Sequence, residues 1–358
     1  MRFDLYNADC LEILSGMPEN SIDSIVTDPP YGINFLGSKW DYDTPSQEIW
    51  EACLRVLKPG GYLLSFASGR TYHRIACRIE DAGFDIRDQL LFLYGTGFPK
   101  SMDIQKALEK AGVDPEGAEV WAGWGTGLKP AHEPIVMARK PFKGTLTANL
   151  MEHGTGALNI EASRVGDGVF GWGGHKGFTS WKGGLDNEQA ARPTCGRWPA
   201  NLAHDGSEDI AAHIPVKFFY CAKPSKAERN EGITSETRTP GECTNRKEGT
   251  AGLNNPRAGA GRTSGNANYH PTVKPVALMQ WLIKLVTPKD GVTLDLFMGS
   301  GTTGKAAMAT GFRFIGIEKD AGYFELAYQR IQFEAEKFEA EKDETLTSEF
   351  TEVRSQNS

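Results

Sequence analysis

The stretch Ser24-Ile-Val-Thr-Asp-Pro-Pro-Tyr-Gly32 ends a short apolar run with an acid, two prolines and an aromatic residue. The run from Ile22 to Val26 is typical of a buried strand of a sheet. The two prolines freeze the backbone and force the chain out of the sheet. We therefore expect Asp28 and Tyr31 to be held rigidly at the end of a strand, which is the edge where open α/β sheets bind ligands.

The groups in this stretch suit alkylation of an exocyclic amine on a planar base. The Asp28 carboxylate and the Pro29 carbonyl can each accept one N–H of the amine and so orient the nitrogen lone pair. Tyr31 offers a face on which a flipped base can stack, worth roughly 1–3 kcal/mol. The alternative interpretation is a plain turn at Pro29 and Pro30, with Asp28 as a cap and Tyr31 as packing.

Length and composition predict a soluble, globular protein. The chain has 358 residues, of which 39% are apolar, which suits one large domain with an insertion, or two domains. It contains no apolar run near 18 residues and no basic-then-apolar leader, so we expect neither a membrane span nor a secretory signal. The six cysteines form no Cys-x-x-Cys pair and are interpreted as reduced thiols of a cytoplasmic protein.

The net charge of −7 is unevenly distributed. From Ile331 to Ser358 there are eight acids and three bases, whereas from Arg139 to Lys274 there are eighteen Lys and Arg against thirteen Asp and Glu. A mildly basic middle segment and an acidic end are compatible with a nucleic-acid partner, although many enzymes have such a charge asymmetry without binding DNA.

Strand and helix patterns alternate on both sides of an irregular middle segment, which predicts a doubly wound α/β domain. Strands are predicted over 2–8, 22–26, 62–66, 89–94, 133–138, 292–297 and 312–317, and helices over 10–14, 47–57, 70–81, 276–286, 305–310 and from 322 into 334–344.

The middle segment has a different character, because glycine makes up twenty of the 129 residues from Pro141 to Tyr269. Short signals at Arg197–Asn201 and Lys217–Cys221 predict small strands between long loops, and part of 230–268 is expected to be disordered without a partner. Loop-borne Lys, Arg, Asn and aromatic residues suit a surface that reads DNA. A flexible surface insertion is the alternative.

A second candidate site lies in Met298-Gly-Ser-Gly-Thr-Thr-Gly304, a glycine-rich turn between a strand and a helix. Gly299 and Gly301 let the backbone approach a ligand, and hydroxyl groups at the helix start can bind a carboxylate. Glu318 ends the next strand, seventeen residues after Gly301, where an acid accepts hydrogen bonds from ribose hydroxyls. The spacing Gly299-x-Gly301-x-x-Gly304 also fits a dinucleotide, so NAD stays open on this motif.

Together these motifs resemble the β-class S-adenosylmethionine-dependent DNA amino-methyltransferases. The resemblance rests on Asp28-Pro-Pro-Tyr31 near the amino terminus, Phe297-x-Gly299-x-Gly301 near the carboxyl terminus, and His270-Pro-Thr-Val-Lys-Pro275 before the cofactor strand. It covers roughly residues 2–140 and 268–333. The class implies a mostly parallel, seven-stranded, Rossmann-like sheet that is circularly permuted, with the catalytic half first, then target recognition, then the cofactor half.

The resemblance also implies domain boundaries and site roles. Residues 1–140 and 269–340 would form the catalytic and cofactor domain, 141–268 a loop-rich target-recognition region, and 341–358 an acidic, disordered tail. The expected catalytic residues are Asp28, Pro29, Pro30 and Tyr31. The expected cofactor contacts are Asp9 with the adenine amine, Phe297 with the adenosyl group, Glu318 with the ribose, Gly299 and Gly301 in the turn, and Thr272, Lys274, Ser300 and Thr302 around the methionine end.

The implied reaction is direct in-line transfer of a methyl group to an exocyclic amine of a base flipped out of double-stranded DNA. In the family, Asp at the first motif position favours adenine N6 over cytosine N4, so adenine is predicted and cytosine N4 stays the alternative. A cysteine nucleophile in a Pro-Cys context, which cytosine C5 methylation would need, is absent from the sequence. An NAD-dependent oxidoreductase and a catalytically silent DNA-binding module are further alternatives.

Other expectations concern partners and metals. A homodimer, and either a cognate restriction nuclease or an orphan enzyme, are compatible with the sequence, and the recognition sequence cannot be read from it. No metal site is predicted, because Cys195, His204, His213 and Cys221 lack the paired spacing of zinc ligands.

Overall fold

The computed structural model describes residues 2–34, 39–95, 97, 99, 101–170, 194–212, 218–235 and 267–356. Most of the segment 230–268, where partial disorder is predicted, lies outside the described residues. In the part of the chain that the structure describes, no helix is long and apolar enough to cross a membrane.

Strands and helices alternate on both sides of the middle segment. The strands are β1 (Phe3–Tyr6), β2 (Ile22–Thr27), β3 (Leu57–Phe66), β4 (Asp85–Leu93), β5 (His132–Arg139), β6 (Val165–Phe170), β7 (Thr194–Arg197), β8 (Leu202–His204), β9 (Phe219–Tyr220), β10 (Val292–Asp295) and β11 (Arg313–Ile317). The α-helices are α1 (Cys10–Gly16), α2 (Gln47–Val56), α3 (Tyr72–Asp81), α4 (Ile104–Lys110), α5 (Pro115–Glu119), α6 (Leu146–His153), α7 (Glu208–Ala211), α8 (Lys226–Asn230), α9 (Val276–Val286), α10 (Thr302–Ala309) and α11 (Ala321–Gln356).

Nine of the described strands form one sheet in the order β1-β11-β10-β2-β3-β5-β4-β8-β9. Among these strands, β5 runs antiparallel to its neighbours β3 and β4, and the other pairs are parallel. The seven predicted strands make up the sheet from β1 to β4, which confirms the mostly parallel α/β fold. The first strand of the chain pairs with β11 at the sheet edge, as a circularly permuted order requires.

Helices cover both faces of this sheet. Neighbouring residues of a strand point to opposite faces, so each strand contributes side chains to two cores. Leu64 packs in a core with α9, α10 and the start of α11, while Leu63 packs in a second core with α1, α2 and α3. All four residues of the pairs Ile25–Val26 and Leu63–Leu64 are fully buried. Continuous apolar strands are what a sheet covered on both faces requires.

The chain order reverses between β10 and β2, and this position decides where a ligand can bind. From β10 the chain continues to β11 on one side, and from β2 it continues to β3 on the other. A crevice is expected outside the carboxyl ends of the strands at such a switch point. At the opposite end of β2, the Asp23 carboxylate links this strand to its two neighbours. It accepts a hydrogen bond from Val292 N of β10 (2.7 Å) and pairs with Lys58 Nζ of β3 (2.5 Å).

Several parts of the chain differ from the sequence-based expectation. Lys58–Gly61 was expected to separate a helix from a strand, but β3 already begins at Leu57, with a register shift against β2 at this point. The helices α4 and α5 were not predicted. They lie in an excursion between β4 and β5, and α4 has no buried residues, so it lacks the apolar periodicity that reveals a packed helix.

In the middle segment, the expected strand at 197–201 is displaced to Leu202–His204, immediately after Asn201. This strand pairs with β4, and β9 pairs with it in turn, so the sheet grows at one edge. The strands β6 and β7 form a separate two-stranded sheet. The middle segment therefore contributes to the main sheet as well as to loops.

The acidic end of the chain was predicted to be a disordered tail over 341–358, whereas α11 continues to Gln356. The stretch 334–344 is rich in Glu, Lys and Ala, which are strong helix formers and favour continuation of the helix beyond the core. Side chains spaced four residues apart also bond along the helix, as Gln332 does with Glu336 (2.6 Å).

Candidate active site

Residues from several strands meet at the carboxyl edge of the sheet. Asp28 follows β2, Phe297 follows β10 and Glu318 follows β11. Since β5 is antiparallel to its neighbours, its amino-terminal end lies at this same edge and brings Glu133 there. The predicted catalytic and cofactor residues thus come from one edge, and a residue that was not predicted joins them.

Asp28 has a partner on each carboxylate oxygen. Tyr31 Oη donates to Oδ1 (2.6 Å), and Lys274 Nζ donates to Oδ2 (2.5 Å). The Asp28 side chain keeps 19% of its surface exposed. Pro29 is buried and Pro30 is half-buried, so this stretch is fixed in place while Asp28 remains accessible.

The Lys274 ammonium is buried among aromatic rings and carboxylates. It lies 3.1 Å from Tyr31 Oη and 3.2 Å from Glu133 Oε2, and 4.8 Å from the centre of the Phe66 ring. Burial would lower the pKa of Lys274, but the Asp28 and Glu133 carboxylates outweigh it and hold this pKa above its usual range. Burial also raises the pKa of Tyr31, reinforced by Asp28 and Glu133, so Tyr31 stays a neutral phenol that donates a hydrogen bond.

The loop that follows Tyr31 is anchored by a buried acid that the sequence analysis did not single out. The Asp41 carboxylate accepts backbone N–H bonds from Tyr31 (2.6 Å), Gly32 (2.9 Å) and Ile33 (3.3 Å). Asp41 is 1% exposed. These bonds fix the backbone that carries the Tyr31 ring, so the ring position does not depend on the prolines alone.

A second buried acid joins the two halves of the site across the switch point. Asp295, at the end of β10, accepts from the Thr27 hydroxyl (2.6 Å) and the Thr303 hydroxyl (2.5 Å). Burial raises the pKa of Asp295 to about 6, and the hydrogen bonds from these threonines oppose the shift. The carboxylate therefore fixes β2, which carries Asp28, to the glycine-rich side.

The glycine-rich turn has a backbone that favours glycine. Gly299 and Gly301 have φ of +52° and +77°, which other residues rarely adopt. A Cβ at position 299 would come within 2.8 Å of the His270 Nε2, and one at 301 within 2.9 Å of the Ala327 backbone. The turn therefore packs closely on both sides.

Buried polar groups hold Ser300 and the start of α10. Arg330 is fully buried and donates to the Ser300 carbonyl (2.5 Å), the Ser300 hydroxyl (3.2 Å) and the Thr302 hydroxyl (3.3 Å). Asn268 also donates to the Ser300 hydroxyl (3.1 Å). Burial lowers the pKa of Arg330 to about 10. Ser300 lies in the turn and Thr302 begins α10, and these bonds engage both hydroxyls.

Glu318 faces the same turn from the next strand. Its carboxylate accepts from the backbone N–H of Gly299 (2.9 Å) and of Asp320 (2.8 Å). Burial nevertheless raises the pKa of Glu318 to about 7, because it outweighs these two bonds. The structure thus brings the predicted acid to the predicted glycine turn.

The segment before α9 packs against this turn through His270. The His270 Nδ1 lies 2.8 Å from the Thr272 carbonyl, which can only accept, so this nitrogen carries the proton. Burial lowers the pKa of His270 to about 4, so the ring is neutral. Thr272 contributes its carbonyl here, and Lys274, two residues further on, points its ammonium to Asp28 instead of to Ser300.

Asp9 lies at the same edge, after β1, and both of its oxygens have partners. Oδ1 accepts from Leu11 N (3.0 Å) and caps α1, while Oδ2 pairs with Lys319 Nζ (2.9 Å). The hydrogen bond from Lys319 lowers the pKa of Asp9. Phe297 is half-buried and packs against the core of α1–α3. The adenine contact of Asp9 and the adenosyl contact of Phe297 stay predictions.

Four residues of the site were missed by sequence reasoning: Asp41, Glu133, Asp295 and Arg330. Asp295 could have been found, since it is an acid that ends an apolar strand, as Asp28 and Glu318 do. No sequence signal identified Glu133. It lies near the start of an antiparallel strand, whereas sequence reasoning looks for ligand residues just beyond the carboxyl end of a parallel strand.

The family model for N6/N4 methyltransferases, described as DNA methylase, matches residues 22–329, from the first residue of β2 into α11. The chain belongs to this family. As a member, the protein is a DNA methyltransferase of the N6/N4 type, and the match spans both Asp28–Tyr31 and the glycine turn.

Two relatives with curated descriptions are Type II methyltransferases. M.HindIII of Haemophilus influenzae is 25% identical over 374 residues, which cover 92% of this chain and 95% of that protein. M.ScaI of Streptomyces caespitosus is 40% identical over 79 residues, which cover 22% of this chain and 26% of that protein.

Two solved structures have chains similar to this one. The M1.HpyAVI–SAM complex is 21% identical, with a TM-score of 0.45 and coverage of 92% of this chain and 98% of that one. The cytosine-N4-specific PvuII DNA methyltransferase is 15% identical, with a TM-score of 0.48 and coverage of 92% and 86%.

Among the described residues, no group of three His, Cys, Asp or Glu side chains could hold a metal ion. His213, one of the four residues weighed as a zinc ligand, lies outside the described part of the chain. None of the described cysteines, at positions 10, 53, 77, 195 and 221, forms a disulfide bond with another described cysteine.

Proposed function

We propose that the protein transfers the methyl group of S-adenosylmethionine to the exocyclic N6 amine of adenine in double-stranded DNA. The observation that carries the proposal is the Asp28–Tyr31 group, held at the switch point of the sheet beside the glycine turn and Glu318. Adenine is preferred because the first motif residue is Asp. N4 of cytosine is the second candidate, since its amine presents the same two N–H groups.

The residues of the cofactor side fit S-adenosylmethionine. Glu318 is a half-buried carboxylate with a pKa of about 7, so it is desolvated and can gain from hydroxyl donors such as those of a ribose. The positive φ of Gly299 and Gly301 lets the backbone approach a ligand closely. Ser300 and Thr302 lie at the start of α10, where a carboxylate is favoured. M1.HpyAVI, crystallised with SAM, is a relative that binds this cofactor.

When bound, S-adenosylmethionine supplies an electrophilic methyl group on a sulfonium. The chain orients the nucleophile: the Asp28 carboxylate and the Pro29 carbonyl each accept one N–H of the target amine, which directs its lone pair out of the ring plane. Transfer of this methyl group would form the new N–C bond and would leave the C–S electron pair on sulfur. One N–H proton then leaves to the Asp28 carboxylate and from there to water.

Tyr31 holds the base in this geometry. Its ring can stack on a base that has left the duplex, and its hydroxyl keeps Asp28 in place. Asp41 fixes the loop beneath it. The site needs no covalent intermediate, because positioning and electrostatics do the work.

We also assign the middle segment 141–268 to target recognition. In support, Arg139–Lys274 carries an excess of basic residues. Trp198 and Tyr220, two aromatic residues of this segment, are more than half exposed and could contact DNA. The domain boundaries, a homodimer and a cognate restriction nuclease stay predictions. A DNA substrate is consistent with the predicted cytoplasmic location.

The test is transfer of labelled methyl groups from S-adenosylmethionine to unmethylated plasmid DNA, followed by nucleoside analysis of the digest. N6-methyladenine would support the full proposal. N4-methylcytosine would keep the mechanism and overturn the adenine preference. Cofactor binding without label in DNA would contradict the DNA substrate, and NAD should not raise the melting temperature of the protein, whereas S-adenosylmethionine should.

A further inference from the structure

We propose that Glu133 is a further functional residue of this site. It acts as a positioning residue that, through Lys274, keeps the surroundings of the target amine negatively charged during methyl transfer. The inference rests on the proposed function, because it concerns the charge that the reaction creates. It starts from the contacts of the Lys274 ammonium.

A lysine ammonium has three N–H donors and no acceptor. At Lys274 three oxygens lie within reach of Nζ: Asp28 Oδ2 at 2.5 Å, Tyr31 Oη at 3.1 Å and Glu133 Oε2 at 3.2 Å. The ammonium therefore makes two hydrogen bonds, to Asp28 and Tyr31, and an ion pair with Glu133, all on the target side of the site. Lys274 thus orients the Asp28 carboxylate.

This engagement has an electrostatic consequence for Asp28. An ion pair of Asp28 with Lys274 alone would be neutral as seen from the target amine. Glu133 adds a second carboxylate to the same ammonium, and the Oε2 atom that faces Lys274 is buried, while 26% of the side-chain surface stays exposed. Two carboxylates and one ammonium in contact leave the cluster with one excess negative charge.

The reaction requires such a charge. A neutral amine that attacks a methyl group becomes a cationic nitrogen before it loses its proton. A preorganised negative charge in a site shielded from water stabilises this cation, and it does so more in the transition state than in the ground state. Without Glu133, the fixed cation at Lys274 would oppose the developing cation, and only Asp28 would balance it.

Glu133 comes from β5, the antiparallel strand whose amino-terminal end reaches the active edge. Its neighbour Tyr94 follows β4 at the same edge, and burial together with the Glu133 charge raises the pKa of Tyr94 to about 12. The Glu133 charge thus acts on the target side of the site. A second ammonium, Lys223 Nζ, lies 4.4 Å from the centre of the Tyr94 ring, and the Asp205 and Glu133 carboxylates both act on it.

The test compares Glu133→Gln with Glu133→Asp in steady-state methylation of plasmid DNA. Gln keeps the size of the side chain and removes its charge, so kcat is expected to fall roughly tenfold or more. The KM for DNA and the Kd for S-adenosylmethionine should change less than about threefold, since Glu133 contacts neither in the proposal. Asp restores the charge and should recover part of the lost kcat.

Glu231→Gln is a matched control, because Glu231 also pairs with a buried lysine, Lys305, away from Asp28. A purely structural ion pair would lower the melting temperature alike in both Gln variants and leave kcat alone. Equal kcat in wild type and Glu133→Gln, an equal kcat loss in the Glu231→Gln control, or no recovery with Asp would overturn the inference. An inactive wild type with intact cofactor binding would instead overturn the proposed function, and the inference with it.

Discussion

The cofactor side of the site is assembled from neighbours in the chain, whereas the target side joins residues from distant parts of it. Glu318 bonds to Gly299 across 19 positions, within one strand–turn–helix–strand unit. Asp28 and Lys274 meet across 246 positions. The first arrangement can form once β10, α10 and β11 associate. The second exists only after both halves of the chain have docked, so it depends on packing far from the motif itself.

This contrast separates binding from chemistry, and Asp28 provides its sharpest test. Asp28→Ala removes the acceptor that orients the amine and takes its proton, so kcat is expected to fall by about 10³-fold. The Kd for S-adenosylmethionine, measured by calorimetry, should stay within about twofold. Asp85→Ala, at an exposed acid that begins β4, is the control. Near-normal turnover of Asp28→Ala would remove this carboxylate from the mechanism.

The cofactor side should respond in the opposite way. Glu318→Ala removes an acceptor for two hydroxyl donors, and hydrogen bonds to a charged group are worth about 1.5–3 kcal/mol each. We expect the affinity for S-adenosylmethionine to weaken by at least about 150-fold in calorimetry. Turnover at saturating cofactor should fall by less than about tenfold. An unchanged affinity would contradict the ribose assignment.

Asp295 connects the two sides, so its replacement should affect the whole protein. In Asp295→Asn an amide N–H₂ replaces one acceptor of the Thr27 and Thr303 hydroxyls, which leaves a buried polar group poorly paired. The free energy of unfolding, measured with denaturant, should fall by about 1–3 kcal/mol. Asp290→Asn, at an exposed turn residue, serves as control. If only cofactor binding changed, the connecting role of Asp295 would be wrong.

Cofactor affinity should also depend on pH through Glu318. Because burial raises the pKa of Glu318 to about 7, the carboxylate is protonated below this pH and ionised above it. Below pH 7, Glu318 must lose its proton before the cofactor hydroxyls can donate to the ionised carboxylate, so binding releases a proton. The Kd should therefore increase by up to about tenfold from pH 7 to pH 6 and level off above pH 8. Glu318→Gln should bind with a flat profile, and a pH-independent wild type would contradict the assignment.

The smallest effect is expected at the rim of the cofactor side. Lys319 pairs with Asp9 at the surface, and such exposed pairs contribute little. Lys319→Ala should change the Kd for S-adenosylmethionine by less than about twofold. A larger change would mean that Lys319 orients the Asp9 carboxylate for cofactor binding, and the pair would then be assigned to the binding site.

Much of this molecule follows from the sequence because its signals are local. Apolar runs, glycine turns and proline stops predict the seven strands and most of the helices that pack on the sheet. The sequence separation between Gly301 and Glu318 is that of one βαβ unit. Resemblance to the family added Lys274 to the site. The acidic end misled the prediction, since the same Glu and Lys residues that suggest a solvated tail also favour a helix.

Two features depended on folding in three dimensions. The reversal of chain order between β10 and β2 places Asp295 between Thr27 and Thr303, and the antiparallel direction of β5 brings Glu133 to Lys274. Neither residue stands in a motif, because strand direction and strand order are properties of the whole sheet. Local residue patterns therefore identified the two candidate motifs, while the arrangement of strands determined which charges lie beside Asp28.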